Sequence, residues 1–340
     1  AASVATSEFD LIKRCFLDQG LGFSRSGIEL GIGDDCALLS SPNNLSLALS
    51  MDTLVAGIHF PADAPPAQIA HRALAVNLSD LAAMAAQPLG FTLALTLPHS
   101  DVDWVEQFAQ GLLPLAQEFN CPLIGGDTTR GPLTITLQVH GEVDPRLALR
   151  RDAALSEQLV CVTGTLGDAA AGLLITGASS HLGAGFAFAQ QPTQAERDFL
   201  LSRYFAPRPQ IAFARAAARH LRAGIDISDG LLGDLGHVLT ASGIGARLDL
   251  ESIPFSAASR RCLSREHAEQ AALAGGDDYE LCVVLAPEAL AKAQAVAKSV
   301  GVQLTAIGAT QQRPGLELVR GNESVRASAE AYQHFAVEAS

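Results

Sequence analysis

Aspartate recurs in six short motifs along this chain, nearly all at glycine-rich turns or strand ends. They are Gly31-Ile-Gly-Asp-Asp35, Ser50-Met-Asp52-Thr53, Asn77-Leu-Ser-Asp80, Gly125-Gly-Asp127-Thr-Thr129, Asp226-Ile-Ser-Asp229-Gly230 and Gly275-Gly-Asp277-Asp278-Tyr-Glu280. One aspartate in a turn is ordinarily an Asx-turn or a helix cap. Six such motifs in one acidic chain imply a shared task. Clustered carboxylates cannot all ionise in one pocket unless cations compensate them. Hard oxygen ligands suit Mg²⁺ rather than zinc. Glycines beside them let backbone N–H groups approach an anion closely. The set describes a site for metal-bridged phosphates.

Charge and composition narrow the partners. The chain has 340 residues, a length that predicts about two domains. Acidic residues number 36 against 23 basic, for a net charge of −13. A surface that negative repels phosphate backbones, so no nucleic-acid partner is expected. The longest apolar tract, Leu81 to Pro98, is broken by Gln87, Pro88 and Gly90. It predicts a short helix followed by a strand, not a membrane span. The N-terminal residues lack a basic region followed by an apolar stretch, so no signal peptide is expected. The six cysteines are scattered without a CxxC pair. They suit a reducing cytoplasm, with Cys36, which follows two aspartates, expected to be an inert core thiol.

Two parts of similar size are expected, 1–144 and 150–340. The polar, Pro-containing join between them, Val143 to Asp152, follows a clear strand. Strands are predicted over Leu45–Met51, Gly90–Leu97, Leu133–Val143, Gln158–Thr163 and Tyr279–Leu285. Helices are predicted over Ala67–Ala86, Asp103–Phe119, Gly230–Ser242 and Pro287–Val300, and after the turn at Gly167. Ser79 is expected to cap a turn beginning at Asp80. Gly177–Gln191, rich in Gly and Ala, is expected to be a flexible loop. Mixed strands and helices in both parts predict α/β or α+β layers.

Familiar nucleotide devices are absent. There is no GxxxxGK[ST] and no GxGxxG opening a helix after a strand. The three lysines, Lys13, Lys292 and Lys298, lie beside no glycine loop, which excludes a protein-kinase lysine. Phosphates must then be held by metal ions, by arginines such as Arg130 and Arg151, and by backbone amides.

Taken together and in order, Gly31–Asp35, Asn77–Asp80, Gly125–Gly131, Asp226–Gly230 and Gly275–Leu281 resemble thiamine-monophosphate kinase. That family belongs to the superfamily of aminoimidazole-ribonucleotide synthetase and selenophosphate synthetase. The resemblance covers essentially the whole chain. It implies a two-domain fold, with an α/β N-terminal domain that dimerises through its sheet and an α+β C-terminal domain. It also implies ATP-dependent phosphorylation of thiamine monophosphate to thiamine diphosphate with several Mg²⁺ ions. Residue by residue, Asp35, Ser50, Asp52, Asp80 and Asp127 match its N-domain metal ligands, and Asp226 and Asp229 its C-domain ones. Gly126, Asp127, Arg151 and Ser228 match nucleotide contacts. His59, Asp277 and Tyr332 match substrate positions. No catalytic side chain beyond the metal ligands is implied.

Three departures stand out. Met51 replaces the usual Thr, so any metal contact there falls to its backbone carbonyl. Asp277 replaces the usual Glu, and the turn after Arg151 lacks the usual Gly. Other readings stay open for single residues: a surface histidine for His59, a packing aromatic for Tyr332, a solvated linker face for Arg150 and Arg151. Two rivals stay open for the whole: a selenophosphate synthetase-like enzyme, against which the lack of glycine around Lys13 and Cys15 counts, and a nucleotide-binding protein without catalysis.

Overall fold

The computed structural model describes residues 13–30, 38–39, 44–321 and 323–325. Asp35, Cys36 and Tyr332 lie outside them. The chain divides into two compact units, Ala1–Leu81 with Ala86–Arg146, and Ala82–Ala85 with Leu147–Ser340.

In the first unit, β1 (Ile28–Leu30) and β2 (Leu38–Leu39) form a small ribbon. The main sheet contains β3 (Ser46–Val55), β4 (Gln87–Leu97), β5 (Leu123–Arg130) and β6 (Thr134–Val143), in the order β3-β6-β4-β5. β4 and β5 run parallel and the other pairs antiparallel. β6 alternates cleanly, with Ile135, Leu137 and Val139 buried, the pattern of a strand with one covered face. Helices α1 (Pro66–Ala83) and α2 (Val102–Glu118) supply apolar stripes, with Leu74, Leu78 and Leu81 buried on the first and Val105, Phe108 and Leu112 on the second. Pro66 suits the first helical position, and Asp101 caps α2 by accepting the Trp104 N–H at 3.0 Å. The expected cap at Ser79 is absent. α1 runs through that position unbroken, and Ser79 is fully buried on it. The helix ends instead near Ala85, whose φ of 56° turns the chain into β4.

The second unit is built on a seven-stranded sheet. Its strands are β7 (Leu159–Thr163), β8 (Ala223–Asp226), β9 (Gly245–Asp249), β10 (Leu281–Leu285), β11 (Leu304–Gln311), β12 (Gly315–Arg320) and β13 (Glu323–Val325), in the order β13-β12-β9-β11-β7-β10-β8. Its helices are α3 (Asp168–Thr176), α4 (Gln194–Phe205), α5 (Ile211–Ala217), α6 (Leu231–Ser242), α7 (Ala257–Cys262), α8 (Arg265–Ala274) and α9 (Leu290–Ser299). Val160, Val162, Ile225 and Val284 of the sheet pack with Leu235 and Val238 of α6 in one apolar core.

Two expectations need correction here. β10 begins at Leu281, not Tyr279, because Tyr279 has a φ of 49° and cannot extend the strand. The Gly177–Gln191 segment is pinned, not loose. Leu182 and Phe186 are buried in a second apolar cluster with Leu200 and Leu263. The Phe186 ring meets His267 edge-on at 5.6 Å.

Candidate active site

Within the first unit, β3 and α1 bring one group of predicted residues together. On β3, Ser50 and Asp52 alternate with the exposed side chains of Leu49, Met51 and Thr53, and are themselves half-buried. Across from them, Asn77 and Asp80 stand three residues apart on α1, the spacing that puts two side chains on one helix face. Ser50 Oγ donates to Asp80 Oδ2 at 2.5 Å, and the Asp52 N–H donates to Asn77 Oδ1 at 3.0 Å. Asn77 is fully buried and is itself anchored to the Ala73 carbonyl at 2.9 Å. Asn77 is thus a framing residue that the motif contained and the sequence reading did not single out. The Met51 side chain is 58% exposed on the opposite face from Ser50 and Asp52, so it does not join this group.

Asp127 is held elsewhere. Across the sheet, Asp52 shares a row with Leu137, Leu93 and Gly126, while Asp127 shares the next row with Ala94, Thr136 and Thr53. β3 and β5 are the two edge strands. Three inter-strand spacings therefore separate Asp52 from Asp127, roughly 14 Å. Mg²⁺ ligands must lie about 2.0–2.1 Å from the ion, so these two carboxylates serve different ions if both bind metal. Among the described residues no three His, Cys, Asp or Glu side chains converge on one point. The donors present are hard oxygens that fit Mg²⁺ chemically, in pairs and not as one closed cage. Gly126 explains why glycine precedes Asp127: its φ is 153°, and a Cβ there would fall 1.9 Å from the Leu93 carbonyl oxygen.

His59 follows the tight turn after β3. Its Nδ1 accepts the Val55 N–H at 3.0 Å. An accepting Nδ1 leaves the ring proton on Nε2, so the half-buried ring presents an N–H donor at its tip.

In the second unit, Asp226 ends β8 and is 4% exposed, and Ser228 and Asp229 follow in the turn into α6. The amides of this turn are occupied. Ser228, Asp229 and Gly230 all donate their N–H groups to Asp234 Oδ2, at 3.0, 3.0 and 3.1 Å. Asp234 was not singled out from sequence; its signal is an acidic residue in the first turn of the helix that follows an Asp-Gly turn. Burial, with the nearby Asp229 charge, pushes its carboxyl up to about 7 against the opposing pull of those amides. The turn's glycine therefore serves the protein's own carboxylate, not an external anion.

Arg150 and Arg151 separate clearly. Arg150 is held by Asp152 through two bonds of 2.8 and 2.6 Å, while the Arg151 side chain is exposed at the start of a short helical turn. Asp277 is half-exposed between two buried stretches, and its N–H bonds the Ser228 carbonyl at 2.8 Å. The described thiols are bystanders. Cys15, Cys121, Cys161, Cys262 and Cys282 are all buried and unpaired. Burial raises Cys121 and Cys161 to about 12, and it raises Cys15 as well. Cys15 thus lacks the character of a reactive thiol. No helix among the described residues is long and apolar enough to cross a membrane.

Comparisons with known proteins place the chain in a family. The family model for the AIR synthase related protein N-terminal domain matches residues 33–143, and that for its C-terminal domain matches 167–321. The chain is 47% identical to thiamine-monophosphate kinase of Escherichia coli, over 98% of this chain and 99% of that one. It superposes on the crystal structure of thiamine-monophosphate kinase from Stenotrophomonas maltophilia with a TM-score of 0.81 and 41% identity, covering 92% and 96% of the two chains. It also superposes on AaThiL complexed with AMPPCP and TMP, with a TM-score of 0.73 and 25% identity over 87% and 89%. With both domain models matched in order and nearly half of all positions shared with a relative along almost its entire length, the chain belongs to the thiamine-monophosphate kinase family of AIR synthase related proteins.

Proposed function

We propose that this protein transfers the γ-phosphoryl group of ATP to thiamine monophosphate, giving thiamine diphosphate and ADP by direct in-line displacement. The observation that carries this is the 47% identity, sustained over 98% of the chain, to a relative named for that reaction. The acceptor is already a phosphate, a competent nucleophile near neutral pH, so no strong general base is required. The difficulty is repulsion between two anions, and positioning with charge neutralisation meets it.

Bound Mg²⁺ would supply that neutralisation between donor and acceptor oxygens. Asp52, with the Ser50–Asp80 pair, is the proposed holder of one ion, and Asp35 and the Met51 carbonyl are also assigned to metal. Asp127 is assigned to another ion, and Asp226 and Asp229 are the ligands of the second unit. Gly126, Asp127, Arg151 and Ser228 are assigned to the nucleotide. His59 would offer its Nε2–H to the acceptor phosphate, and Asp277 and Tyr332 would meet the cationic heterocycle. Residues 1–144 would form the ATP, Mg²⁺ and dimerisation domain and 150–340 the C-terminal domain, in a cytoplasmic enzyme.

The test is product analysis. With ATP·Mg²⁺ and thiamine monophosphate, ADP and thiamine diphosphate should appear in equal amounts. ADP release with selenide or an aminoimidazole acceptor, and none with thiamine monophosphate, would sink the proposal.

Homodimerisation belongs to the same proposal. Leu47, Leu49 and Met51 are 50%, 57% and 58% exposed along one face of β3, an apolar stripe unusual on a sheet left in water. Light scattering at micromolar concentration should return twice the 35.4 kDa chain mass. Substituting Leu49→Lys should shift the reading toward the monomer, and a monomer in the unaltered protein would contradict the assignment.

A further inference from the structure

The chain from Asp277 to Glu280 is held against its own backbone preferences. Asp277 has a φ of 64° and Tyr279 a φ of 49°, both in the left-handed region that side-chain-bearing residues rarely adopt. Such conformations persist only where the surroundings over-determine them. Here burial alternates: Asp277 and Tyr279 are half-exposed, while Asp278 and Glu280 are 1% and 2% exposed. The backbone is fixed by three bonds of 2.8 Å, from Asp277 to Ser228, from Tyr279 to Ile227 and from Ile227 to Glu280. Gly276, before it, has a φ of 68°, and a Cβ there would lie 2.6 Å from the Ser228 carbonyl.

The inward side chains complete the clamp. Asp278 accepts the Gly167 N–H through both oxygens, at 3.0 and 2.9 Å. Glu280 receives Thr163 Oγ1 at 2.6 Å, Gln210 Nε2 at 2.9 Å and Arg203 Nη2 at 2.8 Å. Arg203 comes from α4, with its side chain only 17% exposed, and it also donates to the Thr165 carbonyl at 3.3 Å. Its Nε lies 3.8 Å from Asp168 Oδ2. One guanidinium thus compensates buried carboxylates that would otherwise be left uncompensated. None of these inward groups is assigned a part in the reaction above.

We propose that Arg203, acting through Glu280, is a positioning residue that holds the left-handed Asp277–Tyr279 segment and thereby sets the geometry in which Asp277 meets the phosphate acceptor. This rests on the assignment of Asp277 to the acceptor.

The experiment is a double-mutant cycle on the full-length enzyme, reading kcat, KM for thiamine monophosphate, KM for ATP·Mg²⁺ and Tm for Arg203→Lys, Gln210→Ala, Asp277→Ala and the two doubles. Arg203→Lys keeps the charge but not the fork. It should raise KM for thiamine monophosphate about tenfold while KM for ATP stays within about twofold. Gln210→Ala removes one bond to Glu280 and should raise the acceptor KM by about threefold. In the Asp277→Ala background neither change should add further, because the group they position is gone. Should Arg203→Lys fail to fold, Gln210→Ala carries the same cycle. An unmoved acceptor KM in these variants, equal rises in both KM values, or full additivity with Asp277→Ala would overturn the positioning role alone. An Asp277→Ala enzyme with unchanged acceptor KM would overturn the assignment of Asp277, and the proposal with it.

Discussion

Asp52→Asn should lower kcat by about a thousandfold, equivalent to roughly 4 kcal/mol of lost transition-state stabilisation, while the protein stays folded. The two halves of that expectation have separate causes. Asparagine preserves the shape of Asp52, and the backbone N–H bond from this position to Asn77 on α1 is left alone by the substitution. What disappears is a negative oxygen suited to Mg²⁺. Asp127→Asn should have a comparable effect from the opposite edge of the sheet. EDTA should abolish turnover of the unaltered enzyme, and excess Mg²⁺ should restore it. Circular dichroism and Tm close to the parent would locate the loss in the chemistry. Full activity in EDTA would remove the basis for every metal assignment made here.

Free thiamine should be a poor acceptor, by about 10- to 150-fold in kcat/KM, the worth of one lost charge-assisted contact of roughly 1.5–3 kcal/mol. The acceptor phosphate is the proposed partner of the His59 Nε2–H, a donor whose tautomer is fixed by the Val55 bond to Nδ1. Free thiamine leaves that donor and the acceptor-side metal without a ligand. His59→Ala should therefore erase part of the discrimination by lowering kcat/KM for thiamine monophosphate and leaving that for free thiamine nearly unchanged. Equal or better turnover with free thiamine in the parent enzyme would overturn the acceptor assignment.

Much of this architecture is legible in the residue pattern. β4 and β6 stand out because Leu, Thr, Ile and Val run long enough for alternation to be read, and Pro88 with Gly90 marks where the preceding helix cannot continue. β5 does not stand out. Leu123-Ile-Gly-Gly-Asp-Thr-Thr-Arg looks like a turn by composition, yet pairing with β4 makes it a strand, a case of tertiary context overriding local preference. Ser79 misleads in the opposite way, since a good capping residue is buried inside a helix whose apolar face continues past it.

Carboxylates at turns are legible as a class, but their grouping is not. That Ser50 meets Asp80 and Asp52 meets Asn77 where β3 lies against α1, while Asp127 sits three strands away, follows from the tertiary arrangement, which no local pattern records. The supporting residues are the least legible. Asp234, Arg203 and Glu280 act through partners far away in the chain or through backbone amides, and each looks like an ordinary surface charge until the fold buries it.

The occupied amides at the head of α6 bear on inhibitor chemistry. An inhibitor's acidic group aimed at such a turn would rely on its N–H donors for affinity. In this protein those donors are already bound to Asp234, so an added carboxylate or phosphonate would compete with a resident one and meet its repulsion. Potency is better sought in scaffolds that pass this turn without placing an acidic group on it.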